Sequence, residues 1–241
     1  MALITGANTG IGRAVALAYA REGANICVAW HQHEHHTTSL MLALTEIGVS
    51  AFPQRVDVTD ETSVEHLFEA CSSALGHVDI LVNNAGIQKA QAITDMSVAD
   101  FDLMLNVHLR GAFLCARTAV PLMRARGGGR IINLCSQLGY IGRANYTAYS
   151  TAKGGMIAFT RALAKELAPD NILVNGVAPG LVDTGFDPLT DQAKREHAAS
   201  LPLGRLGTVD DMTGAFVFLA SDDAQYYCGQ LLHPNGGEIM P

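Results

Sequence analysis

The sequence has no apolar run approaching the roughly 18 residues that a membrane-spanning helix needs, so no membrane partner is expected. Its opening, Met1-Ala-Leu-Ile-Thr-Gly6, lacks the basic and apolar regions of a secretory signal, and a cytoplasmic location is expected. Positive charge is not in excess. The net charge of −7 argues against non-specific nucleic-acid binding and against docking on anionic lipid. It does not exclude an anionic cofactor, because backbone amides and helix dipoles bind phosphate without net charge. There is no CxxC pair. Cys27, Cys71, Cys115, Cys135 and Cys228 are scattered, which predicts buried free thiols rather than disulfides or a metal site. No Pro/Ser-rich linker or low-complexity tract divides the chain, so residues 1–241 read as one domain, long enough to bury a large core.

Short apolar runs, rich in β-branched residues and without strict alternation, fall at Ala2–Ile4, Asn25–Trp30, Ala51–Val56, Asp79–Val82, Arg130–Cys135, Ile172–Ala178 and Gln230–His233. Such runs are strands buried on both faces. Between them, helical apolar spacing covers Ile11–Glu22, Ser39–Ile47, Glu61–Leu75, Val98–Arg124, Thr151–Leu167 and Asp210–Ala220. This alternation predicts an α/β fold with a doubly wound parallel sheet.

Thr5-Gly-Ala-Asn-Thr-Gly-Ile-Gly12 follows the first strand and opens the first helix. Gly6, Gly10 and Gly12 permit a sharp turn and close approach of backbone to a pyrophosphate, while the helix N-terminus offers free N–H groups. In many dinucleotide-binding chains an acid ends the second strand and takes the ribose 2′-OH. Here the strand ends Val28-Ala-Trp-His31, with no acid to repel a 2′-phosphate. That favours NADP(H), with NAD(H) left open; His31 is a part-time cation at best. The neighbouring His33, His35 and His36 have only Glu34 and no cysteine near them. They read as a solvated loop over the adenosine end, and no metal is expected.

Tyr149-Ser-Thr-Ala-Lys153 lies at the start of a helical pattern, and residues four apart share a helix face. An ammonium beside a phenol favours phenolate and predicts a lowered phenol pKa, which suits proton exchange with a carbonyl or alcohol. Ser136 ends the preceding strand, where open α/β sheets bind ligands, and could hold the substrate oxygen.

Taken together and in order, these motifs resemble those of the short-chain dehydrogenase/reductase family over essentially the whole chain. They are Thr5–Gly12, Asp57-Val58, Asn83-Asn-Ala-Gly86, Ser136, Tyr149 with Lys153, and Pro179-Gly180. The resemblance implies a Rossmann-type, seven-stranded parallel sheet in a three-layer α/β/α sandwich. It implies hydride transfer between a nicotinamide dinucleotide and a small carbonyl or secondary alcohol, and a homo-oligomer, normally a tetramer. It implies that Gly6, Thr9, Gly10, Ile11 and Gly12 hold phosphate, that Asp57 and Val58 lie near the adenine, and that Asn84, Ala85 and Gly86 flank the ribose. By the same resemblance Tyr149 and Lys153 contact the cofactor ribose, and Pro179, Gly180, Val182 and Thr184 line the carboxamide.

One position departs from the family pattern. Val107-His-Leu-Arg-Gly111 puts His108 where many members carry a catalytic Asn that holds a relay water behind the lysine. His108 could carry the relay, leave it to a backbone carbonyl, or simply pack. Residues 181–203 match the family's substrate lid, and their modest length suits a small or medium substrate. Gln137, Tyr140 and Phe186 could meet it. The tail Leu231–Gly237 and Pro202–Gly207 are similar both to 3-oxoacyl-(acyl-carrier-protein) reductases and to sugar or polyol dehydrogenases. An acidic carrier protein calls for a basic patch, which Arg124, Arg126 and Arg130 could supply, with Asp170 opposing it. A regulator that has lost catalysis would lack Tyr149 or Lys153, and both are present. An epimerase or dehydratase would normally carry a longer C-terminal substrate domain.

Overall fold

The computed structural model describes residues 1–184 and 190–241. Seven strands form one parallel sheet: β1 (Ala2–Thr5), β2 (Ile26–Trp30), β3 (Ala51–Arg55), β4 (Ile80–Asn83), β5 (Gly129–Leu134), β6 (Ile172–Val177) and, last in the chain, β9 (Leu231–Leu232). The spatial order is β3-β2-β1-β4-β5-β6-β9. A short parallel ribbon pairs β7 (Val182–Asp183) with β8 (Gly207–Thr208) outside the sheet. Pro53 sits in β3, at the sheet edge, where its missing N–H costs no ladder bond to an outer neighbour.

Helices cover both faces, and the strands show why they had to. Along β1, Leu3 packs with α3 (Glu61–Leu75), α5 (Gly111–Ala125) and α7 (Thr147–Leu167), through Leu67, Phe68, Leu114 and Leu167. Its neighbours Ala2 and Ile4 pack on the other face with α1 (Gly10–Arg21), α2 (Glu34–Ile47) and α9 (Val209–Ala220), through Val15, Tyr19, Leu40 and Phe216. Successive side chains enter opposite layers, both dry, so the strands carry apolar runs without a polar alternate.

The order reverses around β1, with β2 and β4 on either side of it, which places the crevice at the carboxyl ends of these strands. That edge also receives the short α6 (Leu138–Ile141) and α8 (Asp191–Ser200).

Some local expectations shift. The second helix begins at Glu34 rather than Ser39, because His33 takes a left-handed conformation (φ 62°) that turns the chain into the helix early. The helix expected over 98–124 is α4 (Val98–Leu105) joined to α5 through a π-helical turn at Asn106–Arg110. Helix α8 has no buried residue, so it leaves no apolar period in the sequence. The reading of five free thiols is corrected for two: Cys27 of β2 and Cys71 of α3 face each other in the dry core and are joined as a disulfide, with Cα atoms 6.1 Å apart, a normal separation for such a bridge. Cys115, Cys135 and Cys228 are free.

Candidate active site

The site is built along the carboxyl edge of β1, β4, β5 and β6. After β1 the glycine loop runs into α1. Gly6 and Gly10 take positive φ (63° and 50°), which side chains resist. A Cβ at Gly12 would run into Gly6 O and the Asn84 amide. Thr9 stands at the N-cap without making a capping bond, and no acid occupies the first turn, so the leading amides of α1 face outward as donors. These are the features of an anion cradle. Asn84 ties it to β4: its Nδ2 donates to Thr5 O (2.8 Å) and Gly6 O (3.0 Å), while Thr5 Oγ1 accepts from the amides of Asn84 and Ala85, both at 3.0 Å. Thr184 approaches Gly10 from the far side, just beyond β7. Thr5 and Asn84 thus act partly as bracing.

At the adenosine end, Asn8 is buried and pins the β2–α2 loop, donating to Gln32 O (2.7 Å) and His33 O (3.2 Å). His31 is exposed, with Arg55 donating to its carbonyl at 3.3 Å. Arg13 leans over the first turn of α2, its Nη1 3.4 Å from His36 O. His36 is held below the usual histidine range by partial desolvation and by His35, His33 and Arg13. Arg13 went unnoticed in the sequence because it lies one residue past the glycine loop and on no family motif. Asp57 closes its own turn, accepting from the amide (2.9 Å) and hydroxyl (2.7 Å) of Thr59, and Val58 packs beneath Gly111.

The chemical groups meet between β5 and α7. Ser136 follows β5, and its Oγ accepts from the Leu138 amide at 3.2 Å. Gly139 lets α6 close onto α7: a Cβ there would stand 2.8 Å from the Lys153 backbone. Tyr149 lies in the first turn of α7, near enough to Ser136 for that hydroxyl to lower its pKa against the rise from burial. Lys153 lies one turn on, buried, with Nζ 5.7 Å from the Tyr149 ring centre and donating to Leu134 O at 2.6 Å.

The protonation expectation is corrected in the protein alone. Burial pushes Tyr149 up to about 12 despite Ser136, and burial pulls Lys153 down to about 8. Desolvation outweighs the pairing, because both groups stand in the same dry pocket.

His108 lies in the π-turn, its ring edge-on to Tyr149 at 5.3 Å between centres. Nε2 meets Ile87 O at 2.8 Å and the Ile87 amide at 3.2 Å. Burial and the charge of Lys153 pull its pKa down to about 3, so it is neutral. His108 Nδ1 and Asn83 Oδ1 are buried without a hydrogen-bond partner, and both residues border, with Lys153, a cavity of about 10 Å³, room for one water.

Pro179 and Gly180 follow β6. Pro179 O accepts from the Gln137 amide (3.1 Å), and Gly180 is pressed against Asn235. Phe186 lies outside the described residues. Arg124 and Arg130 do not supply a basic patch beside the site. Arg130 opens β5 and Ser136 follows its far end, about 20 Å away at about 3.3 Å per residue. Arg124 is bonded to Asp170 at 2.7 Å, as its sequence opposition suggested, on the remote edge.

A family model described as Enoyl-(Acyl carrier protein) reductase matches residues 6–238. A 3-oxoacyl-(acyl-carrier-protein) reductase of Aquifex aeolicus is 36% identical over 238 residues, covering 98% of this chain and 96% of the relative. One from Staphylococcus aureus is 37% identical over 240 residues, covering 99% and 98%. Two solved structures superpose with TM-scores of 0.94: a putative short-chain alcohol dehydrogenase from Sinorhizobium meliloti (36% identity, 98% of this chain and 94% of that one) and a short-chain type dehydrogenase/reductase from Mycobacterium marinum (37%, 100% and 95%). No helix among the described residues is long and apolar enough to cross a membrane.

Proposed function

We propose, from the premise that this chain belongs to the short-chain dehydrogenase/reductase family, that it reduces a small carbonyl compound to a secondary alcohol with NADPH. The chain is an oxidoreductase of the nicotinamide-dependent kind, acting between C=O and CH–OH. The single observation that carries the roles is the placement of the Tyr149 phenol beside the Ser136 hydroxyl and the Lys153 ammonium, at the sheet edge that bears the anion cradle.

The bound cofactor supplies the hydride. Ser136 donates a hydrogen bond to the substrate oxygen and orients it. Tyr149, kept neutral by burial, is a proton donor ready for that oxygen as it gains charge. Lys153, fixed by Leu134 O, stabilises the phenolate left behind and reaches the cofactor ribose. His108, neutral, forms the wall behind Lys153 and borders the one-water cavity from which the lysine is resupplied with a proton. Gly6, Thr9, Gly10, Ile11 and Gly12 hold the pyrophosphate. Asn84, Ala85 and Gly86 flank the ribose, and Asp57 and Val58 lie at the adenine. Pro179, Gly180, Val182 and Thr184 line the nicotinamide. Arg13, which reaches the start of α2 at His36 and Ser39, supports the NADPH preference, since the end of β2 itself carries no acid to oppose a 2′-phosphate.

The names of the relatives make 3-oxoacyl thioesters the first substrate class. A second, a small hydroxylated ketone or its polyol, is favoured by the polar contact of Gln137, Glu238 and His197 next to Ser136 and by the remoteness of Arg124, Arg126 and Arg130. We further take residues 1–241 as one catalytic domain in the cytoplasm with a lid over 181–203. A homotetramer is supported by the exposed Leu103, Phe113 and Leu122 on α4 and α5.

The test is fluorescence titration with NADPH and NADH, followed by NADPH oxidation with 3-oxoacyl thioesters, sugars and small ketones. Tighter NADPH binding and turnover of one class are expected. Tight binding with no turnover of any carbonyl or alcohol would overturn the reading.

A further inference from the structure

Gln137 is 4% exposed and directly follows Ser136. Its Nε2 donates to Oε2 of Glu238 in the C-terminal tail, and Nε2 of His197, on lid helix α8, lies 3.2 Å from the same oxygen. A carboxylate only accepts, so it fixes which way the amide faces: the NH₂ group meets Glu238 and Oε1 points away from it. The reverse flip would set two acceptors against each other. Oε1 is then a buried acceptor, and it has no hydrogen-bond partner. Buried acceptors are costly to leave unpaired, and one held in a fixed direction beside the catalytic serine has a use.

We propose that Gln137 determines substrate specificity: its Oε1 accepts a hydrogen bond from an O–H or N–H of the substrate, and Glu238 holds it in that orientation. The inference rests on the carbonyl-reductase reading above and narrows it. A bare alkyl ketone or acyl chain has no donor to offer. A hydroxyl on the carbon next to the carbonyl has one, and so does the amide N–H in the carrier arm of a thioester. A site that pairs its own buried polar atom with a substrate donor rejects the analogue lacking it far more strongly than apolar fit can.

Two matched pairs test this with NADPH. One is hydroxyacetone against 2-butanone. The other is acetoacetyl-N-acetylcysteamine against the same thioester with the amide N–H replaced by an ester oxygen. The wild type should favour the donor member of one pair by at least about tenfold in kcat/KM, and the pair that responds identifies the source of the donor. Gln137→Met should cut that preference to about twofold while changing the donor-less member little. Glu238→Gln, which frees the amide to flip, should weaken the preference without removing Gln137, and it serves if Gln137→Met does not fold. Equal rates within both pairs, or variants that slow both members alike, would overturn the proposal. Calorimetric binding of 1,2-propanediol and 2-butanol to protein loaded with NADP⁺ separates the two levels. Turnover without discrimination sinks the role of Gln137 alone. Discrimination in binding without any turnover sinks the reductase reading and leaves Gln137 as the selective residue.

Discussion

The imidazole of His108 fills the space that a side chain at Gly86 would need: a Cβ built there would collide with Cε1 and stand 3.1 Å from Nδ1. Gly86→Ala should therefore destabilise the protein by about 1–3 kcal/mol, the usual range for overpacking a filled core site. In a His108→Ala background the cost should fall by at least about 0.5 kcal/mol, since residues in contact do not add. Urea denaturation of the two single variants and the double variant measures this. Strict additivity would mean that the ring yields freely.

Replacing the ring with the residue usual at this place in the family tests its chemical duty. His108→Asn should be tolerated, with kcat within about tenfold, because the imidazole stays neutral near pH 7 and does not titrate there, and an amide offers the same donor and acceptor atoms. Loss of turnover with intact cofactor binding would make His108 an active member of the relay.

Tyr149→Phe should abolish turnover while NADPH binding by fluorescence titration stays largely intact. Residual activity within about tenfold of wild type, roughly 1.4 kcal/mol of barrier, would remove the phenol from the acid–base role.

The pH profile follows from Lys153. Its pKa in the free protein is lowered by burial to about 8, so the ammonium is present below that pH and lost above it. Reduction needs the cation, so kcat/KM should fall as pH rises through about 8. Tyr149, pushed up to about 12, stays a proton donor across this window, and His108, at about 3, adds no limb near neutrality. A profile flat to pH 10 would show that Lys153 keeps its charge in the free enzyme.

The sheet was readable because β1, β2 and β6 are buried on both faces and cannot afford a polar residue in every second place. The glycine loop and the Tyr149–Lys153 spacing were readable because backbone conformation and helix geometry demand those residues at those intervals. What escaped was set by partners far away in the chain. Gln137 acquires its orientation from Glu238, 101 residues on. Asn83, at the end of β4, shares the water-sized cavity with His108, which the π-turn carries there from elsewhere in the chain. Arg130, at the start of β5, looked close to Ser136 in sequence, but a strand separates its two ends by its full length. The raised Tyr149 pKa depends on how dry the pocket is, which no spacing of residues records.

The π-turn at Asn106–Arg110 is, in effect, an α-helix carrying one surplus residue. Each residue of an α-helix advances the chain by about 100°. Deleting one would let α4 and α5 run on as a regular rod, but the two halves would then be out of phase. If α5 kept Leu114 and Cys115 in the core, Met104 would rotate away from Ala148 and Ala152; if α4 kept its seat, the core face of α5 would turn outward. Chain length at this point is therefore more tightly constrained than side-chain identity: a substitution at His108 changes one contact, whereas a single-residue deletion re-indexes an entire helix.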